Sequence, residues 1–240
     1  MEMIEPIAAQ VPYMTIPGNH EEHANFSHYD ARFSMLADRH QPAQHKEGKP
    51  PLNHRLNNHY HSMTVGPVTV IMINTEYYYY TGYGWGQISR QYAWLEEELK
   101  RANANRAIAP WVVVMGHRPL YCLKKKDKKA KKVVEGEGGG GDADDDDAGE
   151  CDIEAMERPA LRKGVKMHGS GSNLQYGLED LFFKYGVDLY FAGHEHHYGR
   201  TTPLYDQKIR SGHRSPSTNP YDDPAGPVHF ITGAAVSFVV

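Results

Sequence analysis

His194 and His196 stand one residue apart in Gly193-His194-Glu195-His196, directly after the apolar run Val187-Asp188-Leu189-Tyr190-Phe191-Ala192. Neutral imidazole is a common metal ligand. Alternate residues of a strand share a face, so a strand ending here would send both rings toward one metal cluster. A bare His-x-His is equally a polar turn with two solvated rings. Two other stretches repeat the construction. Val11 to Pro17 reads as a strand that ends in Gly18-Asn19-His20-Glu21, and Trp111 to Met115 reads as one that ends in Gly116-His117-Arg118-Pro119. Three buried strands that each end in glycine and then His or Asn-His place chemistry at the carboxyl edge of a sheet, where open α/β folds carry their sites.

The elements that must position these residues are legible in the apolar periodicity. Ile88, Tyr92, Leu95 and Leu99 recur at helical spacing with Glu96, Glu97, Glu98 and Lys100 between them, which predicts an amphipathic helix against a sheet. Leu174, Leu178, Leu181, Phe182 and Tyr185 predict a second helix, terminated by Gly186. His59 to Val65 and Val68 to Asn74 read as two strands joined at Gly66-Pro67. Tyr29 to Leu36 has a short helical pattern, residues 37–58 read as a polar loop, and the tyrosine-rich stretch Thr75 to Gly86 reads as a surface loop. Helices that precede buried strands indicate an α/β fold.

The 240 residues suit one domain. A net charge of −4 gives no electrostatic footprint for nucleic acid or an anionic membrane. No apolar run approaches the roughly 20 residues of a membrane span, and the acidic amino terminus is not a signal peptide. Residues 124–150 break the pattern: Lys124 to Lys132, then four glycines, then Asp144 to Asp147. Such a composition cannot bury enough apolar surface to order itself, so a disordered insertion is expected. Most of the 15 histidines, among them His40, His45, His54, His59 and His61, are scattered and are not expected to be ligands. Asn25-Phe26-Ser27 forms an N-glycosylation sequon on Asn25.

The set GNHE, VMGH and GHEH resembles the last three of the five metallophosphoesterase blocks. The surrounding text, including VPYMT, NFS, MGHRP, YGLEDLF, KYGVDL and GPVHFITGAA, is similar to the purple acid phosphatases, and among them to the animal branch. The likeness covers most of residues 1–123 and 152–235. It implies the family's two-sheet sandwich flanked by helices, here without its amino-terminal strands, because the blocks GDxG and GDxxY occur nowhere in the chain. Met1 then falls inside a longer catalytic domain and Val236 to Val240 leave the family pattern, as does Gly199, where relatives have Glu.

By this resemblance Asn19, His117 and His194 bind a divalent ion (Zn, Mn or Fe) and His196 binds a ferric ion, beside Asp and Tyr ligands of the missing blocks. His20 faces substrate and acts as general acid. The implied reaction is hydrolysis of small phosphate monoesters by a metal-bound hydroxide at acidic pH. A phosphodiesterase or pyrophosphatase on the same scaffold, or a truncated non-catalytic metal-binding fragment, are the alternatives. Relatives carry a Cys pair around a shorter loop where Cys122 and Cys151 flank the insertion. The implied disulfide would contribute roughly 3–4 kcal/mol in the chain-entropy picture, and two free thiols are the alternative. A secreted or lysosomal location follows from the same likeness, and a homo-oligomer is compatible with it.

Overall fold

The computed structural model describes residues 5–33, 58–81, 86–121, 159–166, 173–210, 219 and 221–233. All of the expected loop over 37–58 except Asn58, the insertion 124–150, and Cys122 and Cys151 lie outside the described residues. In chain order the elements are α1 (Glu5–Ala8), a 3-10 turn (Asn19–Glu21), α2 (Ser27–Arg32), β1 (His61–Val65), β2 (Val68–Met72), a second 3-10 turn (Glu76–Tyr78), α3 (Gly86–Ala104), β3 (Trp111–Gly116), α4 (Pro159–Arg162), β4 (Gly164–Lys166), β5 (Leu174–Tyr176), α5 (Leu178–Lys184), β6 (Leu189–Ala192), β7 (Tyr198–Arg200), β8 (Leu204–Tyr205), β9 (Lys208–Ile209) and β10 (Val228–Thr232).

A six-stranded mixed sheet in the order β1-β2-β3-β6-β10-β7 carries the fold, with β4-β5 and β8-β9 as two-stranded ribbons. β2, β3, β6 and β10 run parallel, while β1 and β7 pair antiparallel at the two edges. Register lines up Ile71, Val114, Tyr190 and His229 across the parallel strands, and all four are buried. That face receives the apolar stripe of α3, where Ile88, Leu95, Leu99 and Ala102 are fully buried, together with Leu178, Leu181 and Phe182 of α5. The opposite face, with Met115, Phe191 and Phe230, is half-buried. The α/β expectation is met, and both helices do the packing that their periodicity predicts.

Several local expectations are corrected. Val11 to Pro17 is not a strand: residues 12–18 are without regular structure. Pro12 and Pro17 lack the N–H that a ladder requires, and no described strand is hydrogen-bonded beside them. The second helix begins at Leu178 rather than Leu174, because Tyr176 sits at φ +67° and Gly177 is extended, which no right-handed helix tolerates. Leu174 belongs to β5 instead. Its far end is as expected: Gly186 takes φ +59°, with Gly186 N–H donating to Phe183 O and Val187 N–H to Phe182 O, the two bonds of a Schellman cap. The tyrosine-rich stretch is no surface loop. Tyr77 and Tyr78 are core residues, and Tyr78 Oη donates to Tyr176 O at 2.8 Å. His61, inside the strand expected over 59–65, is buried in β1, where burial lowers its ring to about 4.

A buried ion pair braces this core. Arg162 Nη1 donates to Glu179 Oε2 at 2.7 Å, both residues 2% exposed, and Tyr121 Oη donates to the other oxygen of the same carboxylate. Lys163 lies 3.0 Å from Glu179 as well. Removing one partner of a buried pair strands the other charge, at a cost of about 3–5 kcal/mol. Glu179→Ala should therefore lower stability by about that amount in urea denaturation at neutral pH; a loss under ~1 kcal/mol would show that Arg162 is not buried as described.

Candidate metal centre

Pairing between β3 and β6 sets Gly116 opposite Ala192, so the connections that leave the two strands start side by side. Gly193 N–H then donates to His117 O at 2.9 Å and ties those connections together. The third contributor is the turn at 19–21. Gly18 N–H donates to Glu21 Oε2 at 2.9 Å, and Glu21 N–H donates to Gly18 O at 3.1 Å, a reciprocal clamp that fixes Asn19 between them. Gly18 itself lies against the His117 ring: a β-carbon there would meet ring atoms at 2.8 Å, so only glycine admits the approach.

The outcome is a triangle of donor atoms from three separate connections. His117 Nε2 lies 2.8 Å from Asn19 Oδ1 and 3.0 Å from His194 Nδ1, and His194 Nδ1 lies 3.3 Å from Asn19 Oδ1. Ligands about 2.0–2.1 Å from one ion stand roughly 3.0–3.4 Å from each other in octahedral and tetrahedral arrangements. The spacing and the donor set, two imidazole nitrogens and an amide oxygen, fit one such ion. Among the described residues no third His, Cys, Asp or Glu side chain joins them.

Strand alternation does not explain this convergence. β6 ends at Ala192, and His194 adopts φ +63°, so its ring reaches the cluster from a left-handed bend. His196 is exposed, and among the described residues no hydrogen bond joins it to the three. His20 is exposed on the same turn as Asn19. Asn25 is exposed too, in a run with Ala24 and Phe26 where all three residues have positive φ. Phe26 anchors that run, fully buried with its ring 4.9 Å from His59. Tyr29 anchors it again, bonding Thr15 at 3.0 Å and donating to Asn58 O at 3.0 Å; burial pushes its hydroxyl up to about 12 and keeps it a donor.

Sequence reasoning missed the polar layer beneath the cluster. Arg118 is 7% exposed; its Nε donates to both oxygens of Glu76, at 2.8 and 3.0 Å, and its Nη1 lies 3.2 Å from His194 Nε2. A guanidinium only donates, so in this geometry Nε2 is the acceptor and Nδ1, turned to Asn19 and His117, carries the ring proton; coordination through Nδ1 requires the other tautomer. Arg118 N–H donates to Thr75 Oγ1 at 3.0 Å, and Tyr190 Oη donates to Arg118 O at 2.7 Å. Glu76 is held by Asn74, whose Oδ1 accepts from its N–H, and Gln91 of α3 in turn brackets Asn74 with two bonds. The available signal was the position of Arg118, directly after His117, with one carboxylate inside an otherwise aromatic run.

A family model described as calcineurin-like phosphoesterase matches residues 1–198, and the chain belongs to that family. The family implies a binuclear metal centre. Acid phosphatase type 7 of Homo sapiens is 41% identical over 237 residues, 98% of this chain and 42% of that protein. Acid phosphatase type 7 of Danio rerio is 40% identical, over 98% of this chain and 43% of that protein. Purple acid phosphatase 22 of Arabidopsis thaliana is 28% identical, over 96% and 38%. Among solved structures, the purple acid phosphatase PPD1 of yellow lupin seeds shares the fold with TM-score 0.50 at 21% identity, over 97% of this chain and 33% of that one. The chain thus spans less than half the length of these curated relatives.

The close approach at Gly18 generates a test. Gly18→Ala should push the His117 ring off the triangle and weaken Zn2+ binding roughly 10–100-fold in calorimetric titration, with the far-ultraviolet circular dichroism unchanged. Unaltered affinity would mean that His117 Nε2 is not a ligand.

Proposed function

We propose that the chain carries part of the metal centre of an acid phosphatase that hydrolyses phosphate monoesters. The observation that supports this reading is the meeting of Asn19 Oδ1, His117 Nε2 and His194 Nδ1 within 2.8–3.3 Å, next to an exposed His20. Relatives named acid phosphatase and purple acid phosphatase support the reaction class. Asn19, His117 and His194 would hold a divalent ion (Zn2+, Mn2+ or Fe2+), and His196 would serve a ferric ion. Such a pair, when bound, neutralises phosphate charge and acidifies water.

The protein's own contribution is positional and protonic. Asn19 brings a neutral oxygen, which leaves the anionic substrate less charge to oppose. Glu21 and Gly18 hold Asn19 in place. His20, exposed beside Asn19, donates a hydrogen bond to a phosphate oxygen and passes a proton to the departing alkoxide or phenoxide oxygen. Glycosylation of Asn25, in a secreted or lysosomal setting, fits the exposure of Asn25, and small phosphomonoesters as substrates fit the relatives' names.

Hydrolysis of an aryl phosphate at about pH 5 by the metal-loaded chain tests the reading. His20→Ala should cut turnover roughly 10²–10⁴-fold on a substrate with a poor leaving group, and less on one whose leaving group needs no proton. A chain that takes up metal and hydrolyses nothing is a metal-binding fragment, and cleavage confined to diesters or pyrophosphates would move it to another phosphoesterase class.

A further inference from the structure

His229 lies in the middle of β10, 4% exposed, with neither ring nitrogen hydrogen-bonded among the described residues. Only its backbone is engaged, with N–H donating to Thr201 Oγ1 and O accepting from Thr201 N–H. The ring is flanked by Tyr121 at 5.0 Å and Tyr190 at 5.8 Å, both roughly edge-on. Neither hydroxyl is turned to it. Tyr121 Oη donates to Glu179, the carboxylate that also pairs with Arg162 and Lys163, and Tyr190 Oη donates to Arg118 O. Arg162 lies over the Tyr121 ring at 5.6 Å, so a cation shares that side with the Glu179 carboxylate. The Leu204 backbone carbonyl bears on the imidazole and favours a proton, but stays short of hydrogen-bond geometry.

A proton on this ring therefore has no well-placed acceptor beyond the misaligned Leu204 carbonyl, and a poorly paired cation in an apolar core is costly. We propose that His229 is an acid-sensitive latch on the candidate site: its protonation parts Tyr190 and Tyr121 from β10 and loosens the 117–121 segment that carries His117. The link is direct, because Tyr190 Oη holds the carbonyl of Arg118, the residue after His117. Burial lowers the ring from 6.5 to about 4 in the closed core, whereas an opened, solvated ring binds its proton near 6.5. The closed state is thus fully favoured above pH 6.5 and loses that preference as pH falls from 6.5 toward 4. Local opening of this kind needs no global unfolding. The proposal concerns the metal-free chain and does not depend on the reaction it catalyses.

Amide hydrogen exchange on the metal-free 240-residue chain, corrected for the intrinsic pH dependence of exchange, tests it. Residues 117–121 and 189–192 should lose protection roughly tenfold or more between about pH 6.5 and pH 4, while α3 stays protected. His229→Phe should keep both segments protected across that range; His229→Gln, neutral and close in size to the native ring, gives the same readout if Phe overpacks the core. Loss of protection at the same pH in the wild type and in either folded variant would overturn the proposal. So would a wild-type 117–121 segment that stays closed down to about pH 4.

Discussion

Parallel pairing of β3 with β6 is the constraint from which the site follows. Once Gly116 lies opposite Ala192, the two chains leave the sheet at the same edge and at the same height, and Gly193 N–H closes onto His117 O. Two imidazoles from segments far apart in sequence are then brought against each other by main-chain pairing. The 19–21 turn completes the triangle because Gly18 has no side chain to keep it off the His117 ring. A shift of one residue in the β3-β6 register would turn every side chain of one strand to the other face and separate the two histidines.

Below this main-chain frame lies a buried polar layer that is unusual for a sheet edge. Thr75, Glu76, Arg118 and Tyr190 are all buried and bonded to one another or to backbone, and the layer is tied to α3 through Gln91 and Asn74. Buried charges of this kind add little net stability against an apolar core. Their effect here is orientational: Thr75 and Tyr190 hold the backbone of Arg118 in the connection after β3. The same tyrosine, Tyr190, faces His229 on its other side, so the site and the strand interior share one side chain.

Much of this was legible in the sequence. The stripes Ile88-Leu95-Leu99 and Leu178-Leu181-Phe182, the hairpin at Gly66-Pro67 and the strands at Trp111 and Leu189 follow from periodicity, because burial on one face is what periodicity records. Asn19, His117 and His194 were identified together, and they are the residues that meet. The geometry of His194 and His196 was not legible, since alternation assumes a strand and the chain bends at φ +63° instead. Nor were Glu76 and Tyr77-Tyr78 recognised as interior, because a polar, tyrosine-rich run has no apolar period; tertiary partners, not pattern, decide where it sits.

Anomalous diffraction at the zinc edge, from crystals of the chain grown with Zn2+, tests most directly the candidate cation site built by the three connections. The account predicts a peak enclosed by Asn19 Oδ1, His117 Nε2 and His194 Nδ1, about 2.0–2.2 Å from each. A peak held by other residues, or no peak among these three at saturating Zn2+, would contradict it.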